Sequence, residues 1–336
     1  MKRIRPLLLV LVLLCTAAPA SAAVSVHDVL PATVQAVQAA TPTPQFGSLG
    51  GEWAVLGLAR SGQDVPASVW GAYRADLSAY LAAHDGVLSA KRYTDYSRVV
   101  LALTALGEDP ADFGGYDLLT PLSDVDKVCW QGINGPIWAL IALDSGGWDS
   151  AARETYLSRI LAQQRSDGGW SLSGESDADL TAMALQALAS YRGRADVANA
   201  IARGLGCLSA QQDAQGGFVS GGTANAESCA QVLIALAALD VAPDDPRFVK
   251  DGHSVLDRLL TFRQDDGSFC HTDGGTGSDR MATEQALLAL VALDRAADGR
   301  CGLYRMDDVP QDEGHTPGTA RTWVLLGVLI GTARLL

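Results

Sequence analysis

The sequence predicts an all-α fold, an (α/α)6 toroid in which six inner helices stand inside six outer ones. Three observations predict it. The first is an internal repeat. Gln163-Gln164-Arg165-Ser166-Asp167-Gly168-Gly169-Trp170 recurs as Gln211-Gln212-Asp213-Ala214-Gln215-Gly216-Gly217-Phe218 and as Arg263-Gln264-Asp265-Asp266-Gly267-Ser268-Phe269, each leading into an Ala/Leu-rich run. Gly168 and Gly216 are 48 residues apart, and Gly216 and Gly267 are 51 apart. The second is an alternation of amphipathic stretches with stretches apolar almost all round, the pattern of an outer and an inner layer. The third is composition: 48% hydrophobic residues in a chain of 336 supply a large core and exclude wholesale disorder.

The elements follow in order. Outer helices are predicted near 28–40, 67–83, 115–126, 150–164, 195–212 and 252–263, the third being short. Inner helices start near Glu52-Trp53, Tyr96-Ser97, Pro136-Ile137, Asp179, Glu227 and Arg280. The toroid thus spans 28–298. Within each unit the Gly pair supplies left-handed turn conformations that other residues adopt only at a cost. The aromatic after it anchors the turn among neighbouring helices. Six pairs close on themselves, so no capping repeat is required.

The ends have a different character. Residues 1–23 have the order of a signal peptide: basic Lys2, Arg3 and Arg5, the apolar run Leu7 to Leu14, then small residues ending Ala20-Ser21-Ala22. Cleavage after Ala22 or Ala23 and export to the cell surface or medium are expected. Residues 307–319, with Pro310, Gly314, Pro317 and Gly318, read as a linker. Residues 320–336 are apolar, and Trp323 to Ala333 reads either as a last helix packed on the toroid or as a truncated membrane anchor. Loss of the signal leaves 22 basic against 38 acidic residues. That charge excludes nucleic acid as a partner and disfavours diphosphates. Cys129, Cys207, Cys229, Cys270 and Cys301 remain, an odd number without a C-x-x-C pair, and read mostly as buried free thiols.

The Gln-x-x-x-Asp-Gly-Gly-Trp units resemble the repeat shared by squalene cyclases and protein prenyltransferase β-subunits, over residues 127–295 and more weakly back to about 45. Gln131 to Ile137 and Leu303 to Asp308 are similar to stretches of secreted bacterial prenyltransferase/squalene-oxidase-repeat proteins. The resemblance implies the same toroid.

Candidate chemistry sits at the inner-helix starts. Asp177-Ala178-Asp179-Leu180-Thr181-Ala182 resembles the D-x-D-D-T-A motif of class II terpene cyclases, whose middle Asp protonates an alkene. Carried over, Asp179 is the acid and Asp177 its partner, but Leu180 replaces the last Asp. The inner helices also present Ala, Leu and Val where carbocation chemistry wants aromatic faces. The plain alternative is that these Asp residues cap helices. Glu227-Ser228-Cys229 resembles the Asp-x-Cys zinc ligands of prenyltransferases, but no His stands at Asp279-Arg280-Met281, so no metal and no cofactor are expected. The resemblance to cobalamin carriers fails on the missing β-rich domain. A glycosidase-like pair can be drawn from Asp95, Asp179, Glu227, Asp279 and Glu284, with Trp53, Trp130 and Trp138 as sugar platforms unless they are simply packed.

The ring should gather Trp53, Tyr96, Asn134, Asp177, Asp179, Asn225, Glu227, Arg280 and Glu284 at one mouth, with Asp179, Glu227 and Arg280 as a polar rim above apolar walls. The expected function is a non-catalytic surface module that binds a small ligand or partner in this mouth. The alternatives are a diverged terpene-cyclase-like enzyme using Asp179 as general acid, or a glycan-active (α/α)6 enzyme.

Overall fold

A computed structural model describes residues 25–220, 222–275 and 277–310. The expected signal peptide, most of the linker and the apolar C-terminal segment lie outside the described residues. Twelve α-helices occur among those described. The outer layer is α1 (Val26–Ala40), α3 (Ala67–Ala83), α5 (Val125–Cys129), α7 (Arg153–Ala162), α9 (Ala195–Gln211) and α11 (Val255–Thr261). The inner layer is α2 (Trp53–Arg60), α4 (Thr94–Ala105), α6 (Asn134–Ser145), α8 (Ala178–Leu188), α10 (Ala226–Ala238) and α12 (Arg280–Ala297). Each inner helix is buried on most faces: in α10 every residue from Ala226 to Leu236 is buried except Glu227. The third outer element is a single 3₁₀ turn (Thr120–Ser123) plus the short α5. Two hairpins, β1 (Val219–Ser220) with β2 (Thr223–Ala224) and β3 (Val249–Lys250) with β4 (His253–Ser254), are all the strand it carries among the described residues.

The repeat signature explains itself at atomic level. The second Gln of each pair ties its turn to the next outer unit: Gln164 Nε2 donates to Gly168 O and Ala200 O, and Gln212 Nε2 to Gly216 O and Phe248 O. The aromatic is then driven into the core, with Trp170, Phe218 and Phe269 all 0% exposed. Trp170 also keeps its indole N–H satisfied, donating to Ile160 O at 2.7 Å. At the fourth residue of α8 and of α12 a hydroxyl receives the aromatic's backbone N–H: Trp170 N donates to Thr181 and Phe269 N to Thr283.

Ring closure is made by α12 packing on α1 and α2. His27 on α1 meets Asp294 on α12 at 3.4 Å across 267 residues of sequence. Beyond α12 the chain doubles back as a strap over the far end. Leu303 and Met306 enter the core, and Arg60 donates to the carbonyls of Gly302, Leu303 and Arg305. Asp308 receives both Arg60 and Arg295, so the start of the expected linker is fastened to the ring.

Candidate functional site

The starts of the inner helices converge on one mouth. Their first-turn N–H groups need acceptors, and the sequence supplies them. Asp177, Asn225 and Asp279 are N-caps, accepting from Leu180 N, Ser228 N and Ala282 N at 2.8–2.9 Å. With Asp177 held as a cap, Asp179 is left to face the lumen.

The mouth holds a cavity of about 280 Å³ lined by Trp53 and by five pairs spaced four apart: Thr94/Arg98, Asn134/Trp138, Asp179/Met183, Glu227/Gln231 and Met281/Gln285. Side chains at i and i+4 share a helix face, so each pair is one helix's contribution over a turn. Of the residues predicted, Trp53, Asn134, Asp179 and Glu227 are brought together here. Thr94, Arg98, Met183, Gln231, Met281 and Gln285 were missed, though adding four to Asp179 and Glu227 finds Met183 and Gln231.

Other expectations are corrected. Tyr96 is buried, and its hydroxyl accepts from Leu88 N beneath a Tyr93–Tyr96 ring contact, away from the cavity. Arg280 turns outward to donate to Ala40 O and packs over Gly50, so it is not part of the rim with Asp179 and Glu227. Asp177 and Asn225 serve the backbone. Glu284 lies below the lining, buried and accepting from Gly50 N at 2.9 Å. Trp130 is 70% exposed, neither packed nor in the cavity. The walls are not only Ala, Leu and Val: the Trp53 and Trp138 rings meet at 5.0 Å between centroids and line the lumen with two methionines.

Asp179 is partly buried, and its Oδ1 is sealed from solvent without a hydrogen-bond partner. Burial raises its carboxyl above the usual range; the Asp177 and Glu227 charges add to this, and the Ser228 and Ser220 hydroxyls oppose it without reaching hydrogen-bond geometry to Oδ1. Glu227 accepts from or bridges to His271 Nδ1 at 2.8 and 3.0 Å. Beside it, Arg98 is tied down by Asp95 at 2.6 Å and Glu52 at 3.3 Å. Glu52 is fully buried and pushed by burial up to about 7, against the lowering pull of Arg98. The Cys229 thiol is buried against the Phe218 backbone and pushed up to about 12 by that burial. No group of three metal-ligating side chains occurs among the described residues. No described helix is long and apolar enough to cross a membrane.

No protein-family profile and no curated protein matches the chain. Solved structures do. The type II terpene cyclase MstE from Scytonema, in its apo form, superposes with a TM-score of 0.53 at 15% identity, over 81% of this chain and 99% of that one. The unsaturated glucuronyl hydrolase from Bacillus sp. GL1, responsible for the degradation of glycosaminoglycan, gives 0.54 at 14% identity over 84% and 98%. A protein from Actinoplanes gives 0.51 at 16% identity over 81% and 100%. The chain therefore has the (α/α)6 toroid fold that it shares with these structures.

Proposed function

We propose that the mouth is an active site for acid-initiated chemistry, with Asp179 as the proton donor to an alkene of a small, largely apolar substrate. The observation that carries this reading is the Asp179 carboxyl on the cavity lining beside the Trp53–Trp138 wall, partly buried and with its Oδ1 sealed off without a hydrogen-bond partner. Burial favours the protonated form of this carboxyl, the form that donates. The proton forms a C–H bond with the alkene's π pair, leaving a cation on the adjacent carbon. The indole faces stabilise that cation, each by about 1–2 kcal/mol when desolvated. Glu227, partly buried and hydrogen-bonded to the exposed His271, takes the proton released at the end, and Asp179 regains its own from water. The two named neighbours being enzymes supports a catalytic reading over a purely binding one. On the order of residues 1–23, we also propose that the enzyme is exported.

A second reading, glycan cleavage, is favoured by one feature: the Asn134, Gln231 and Gln285 amides and a second carboxylate, Glu227, surround the same acid. The two readings separate on substrate. Purified protein is offered prenyl polyenes and, separately, oligosaccharides, with products identified by mass spectrometry. Polyene turnover is expected. It should fall about 10²–10⁴-fold in Asp179→Asn and should decline as pH rises through the raised Asp179 pKa, because the protonated form acts. Cleavage of the oligosaccharide alone would establish the second reading. Turnover of neither, or turnover unchanged in Asp179→Asn, removes Asp179 as a catalyst.

A further inference from the structure

We infer that the mouth takes an unsaturated monocarboxylic acid, its carboxylate held by Arg98. The alkene of that substrate rests on the acid-initiated reading above, whereas the carboxylate rests on the residues around Arg98. Arg98 lines the cavity from α4, with its side chain 13% exposed. Its Nε donates to Glu52 Oε2 at 3.3 Å and its Nη2 to Asp95 Oδ1 at 2.6 Å. Nη1 finds no acceptor among the described residues, and it is not one of the groups sealed from solvent. Two N–H groups of a fixed guanidinium are therefore open where Arg98 meets the lumen.

The charge of Arg98 is also incompletely answered. Asp95 is shared, since Arg92 Nε donates to its Oδ2 at 3.1 Å. Glu52 spends its Oε1 on Gly47 N and the Tyr73 hydroxyl, and burial pushes its carboxyl up to about 7, so at neutral pH it is only in part an anion. The other acids of the lining stand on distant helices. In the ring of six, α10 with Glu227 lies opposite α4, and α8 with Asp179 lies beyond α6. An unmatched guanidinium on the lumen would repel a carbocation formed there. A carboxylate on the substrate removes that conflict, because it brings the counter-charge in with the alkene. Arg98 is the only cationic side chain on the lining among the described residues, which suits a single negative charge and not a diphosphate.

A second donor is fixed by chemistry. Gln186 Nε2 donates to the backbone carbonyl of Gln231 at 2.9 Å, which settles the nitrogen end of that amide. Gln231 must then meet it with Oε1, at 3.0 Å, and Gln231 Nε2 must meet Gln285 Oε1, at 2.7 Å. Gln285 Nε2 is the end left over. It has no acceptor among the described residues and is not sealed, and Gln285, 6% exposed, lines the cavity. Because α2 packs against both α4 and α12, Trp53 has an open N–H donor on the helix to either side. An oxygen-bearing head group is offered donors there, and the indoles take the apolar remainder.

The experiment is calorimetric titration of the full chain at neutral pH with citronellic acid and with citronellol, which carry the same branched alkene and differ in the head group. The acid is expected to bind at least about tenfold more tightly, the difference between a charged and a neutral hydrogen-bonded pair. Arg98→Gln should erase that preference by weakening the acid and leaving the alcohol as it was. Arg98→Lys keeps a charge beside Glu52 and Asp95, and it decides the matter where the Gln variant does not fold. It should lose severalfold in acid affinity with the forked guanidinium. Asp179→Asn should bind the acid at least as tightly as before while losing turnover. Preference for the acid without turnover would remove the catalytic reading and keep this one; polyene turnover with no preference for the acid would do the reverse. Failure of citronellic acid to bind, equal affinity for the two head groups, or a preference unchanged in the Arg98 variants would each overturn the assignment.

Discussion

Glu284 and Glu52 are two carboxyls set under the mouth, both raised to about 7 with burial as the first cause. Glu284 Oε1 receives the Gly50 N–H, but its Oε2 has no partner, an arrangement a neutral acid tolerates better than an anion. Folding therefore takes up protons between about pH 4.5 and 7. The sign follows from linkage: stability is fully present below the unfolded pKa and is lost as pH rises through the folded one. The thermal midpoint is expected to be higher near pH 5 than near pH 8. Glu284→Gln, which mimics the protonated acid, should flatten that slope, as scanning calorimetry across the range will record. At this scale the sequence was readable only in part. Trp53, Asn134, Asp179 and Glu227 stood out because they begin apolar runs, and the geometry of a helix start aims them into the mouth. Arg280 also begins such a run, yet its long side chain reaches back to Ala40 O, a contact between residues 240 apart that no local pattern announces. Glu52 and Arg98 escaped notice for the same reason: each is explained by the other.

Among the elements, the Gly-Gly-aromatic turns carry the repeat. Gly216 has φ +84°, and a Cβ there would sit 2.5 Å from Ser254 O; Gly267 has φ +85° and meets Ala32 O at the same distance. Both the left-handed backbone and the neighbouring carbonyl demand glycine. Gly216→Ala is expected to destabilise by about 3 kcal/mol, combining backbone strain with the displaced hairpin. Gly206, exposed on α9 with nothing near its Cβ position, is the control: Gly206→Ala should stabilise by about 0.5–1 kcal/mol through helix propensity. Urea unfolding measures both. These turns are why the fold was so legible, since Gly-Gly or Gly-Ser turns and buried aromatics at near-equal spacing mark each outer-to-inner turn from α7 to α12. Upstream the pattern weakens, and the third outer helix shrinks to α5 because Pro121 and a run of Asp residues around it leave little apolar face to bury.

For the whole molecule, the strap and the ring depend on one carboxylate. Arg60 and Arg295 are 3% and 4% exposed, and Asp308 answers both. Asp308→Ala leaves two buried guanidinium groups with carbonyl acceptors only and is expected to lower stability by about 2 kcal/mol, measured by urea unfolding. It should also loosen the strap, seen as faster hydrogen exchange at Gly302 to Met306.

The contact of His27 with Asp294 has a kinetic meaning. A chain made from its N-terminus holds α1 ready long before α12 exists, and α1 has little else to bury its apolar stripe against. Early helices must wait in a partly assembled arc, with the seam open, until nearly three hundred residues are present. Folding of this kind is dominated by distant contacts and is slow, and the open arc is its aggregation-prone stage. The same geometry makes the order of the units arbitrary. With α1 and α12 side by side, a chain begun at the loop before α7 and ended after α6 would meet the same neighbours, once a linker joined the strap to α1. The ring would then close somewhere else, and the helix that waits would be a different one.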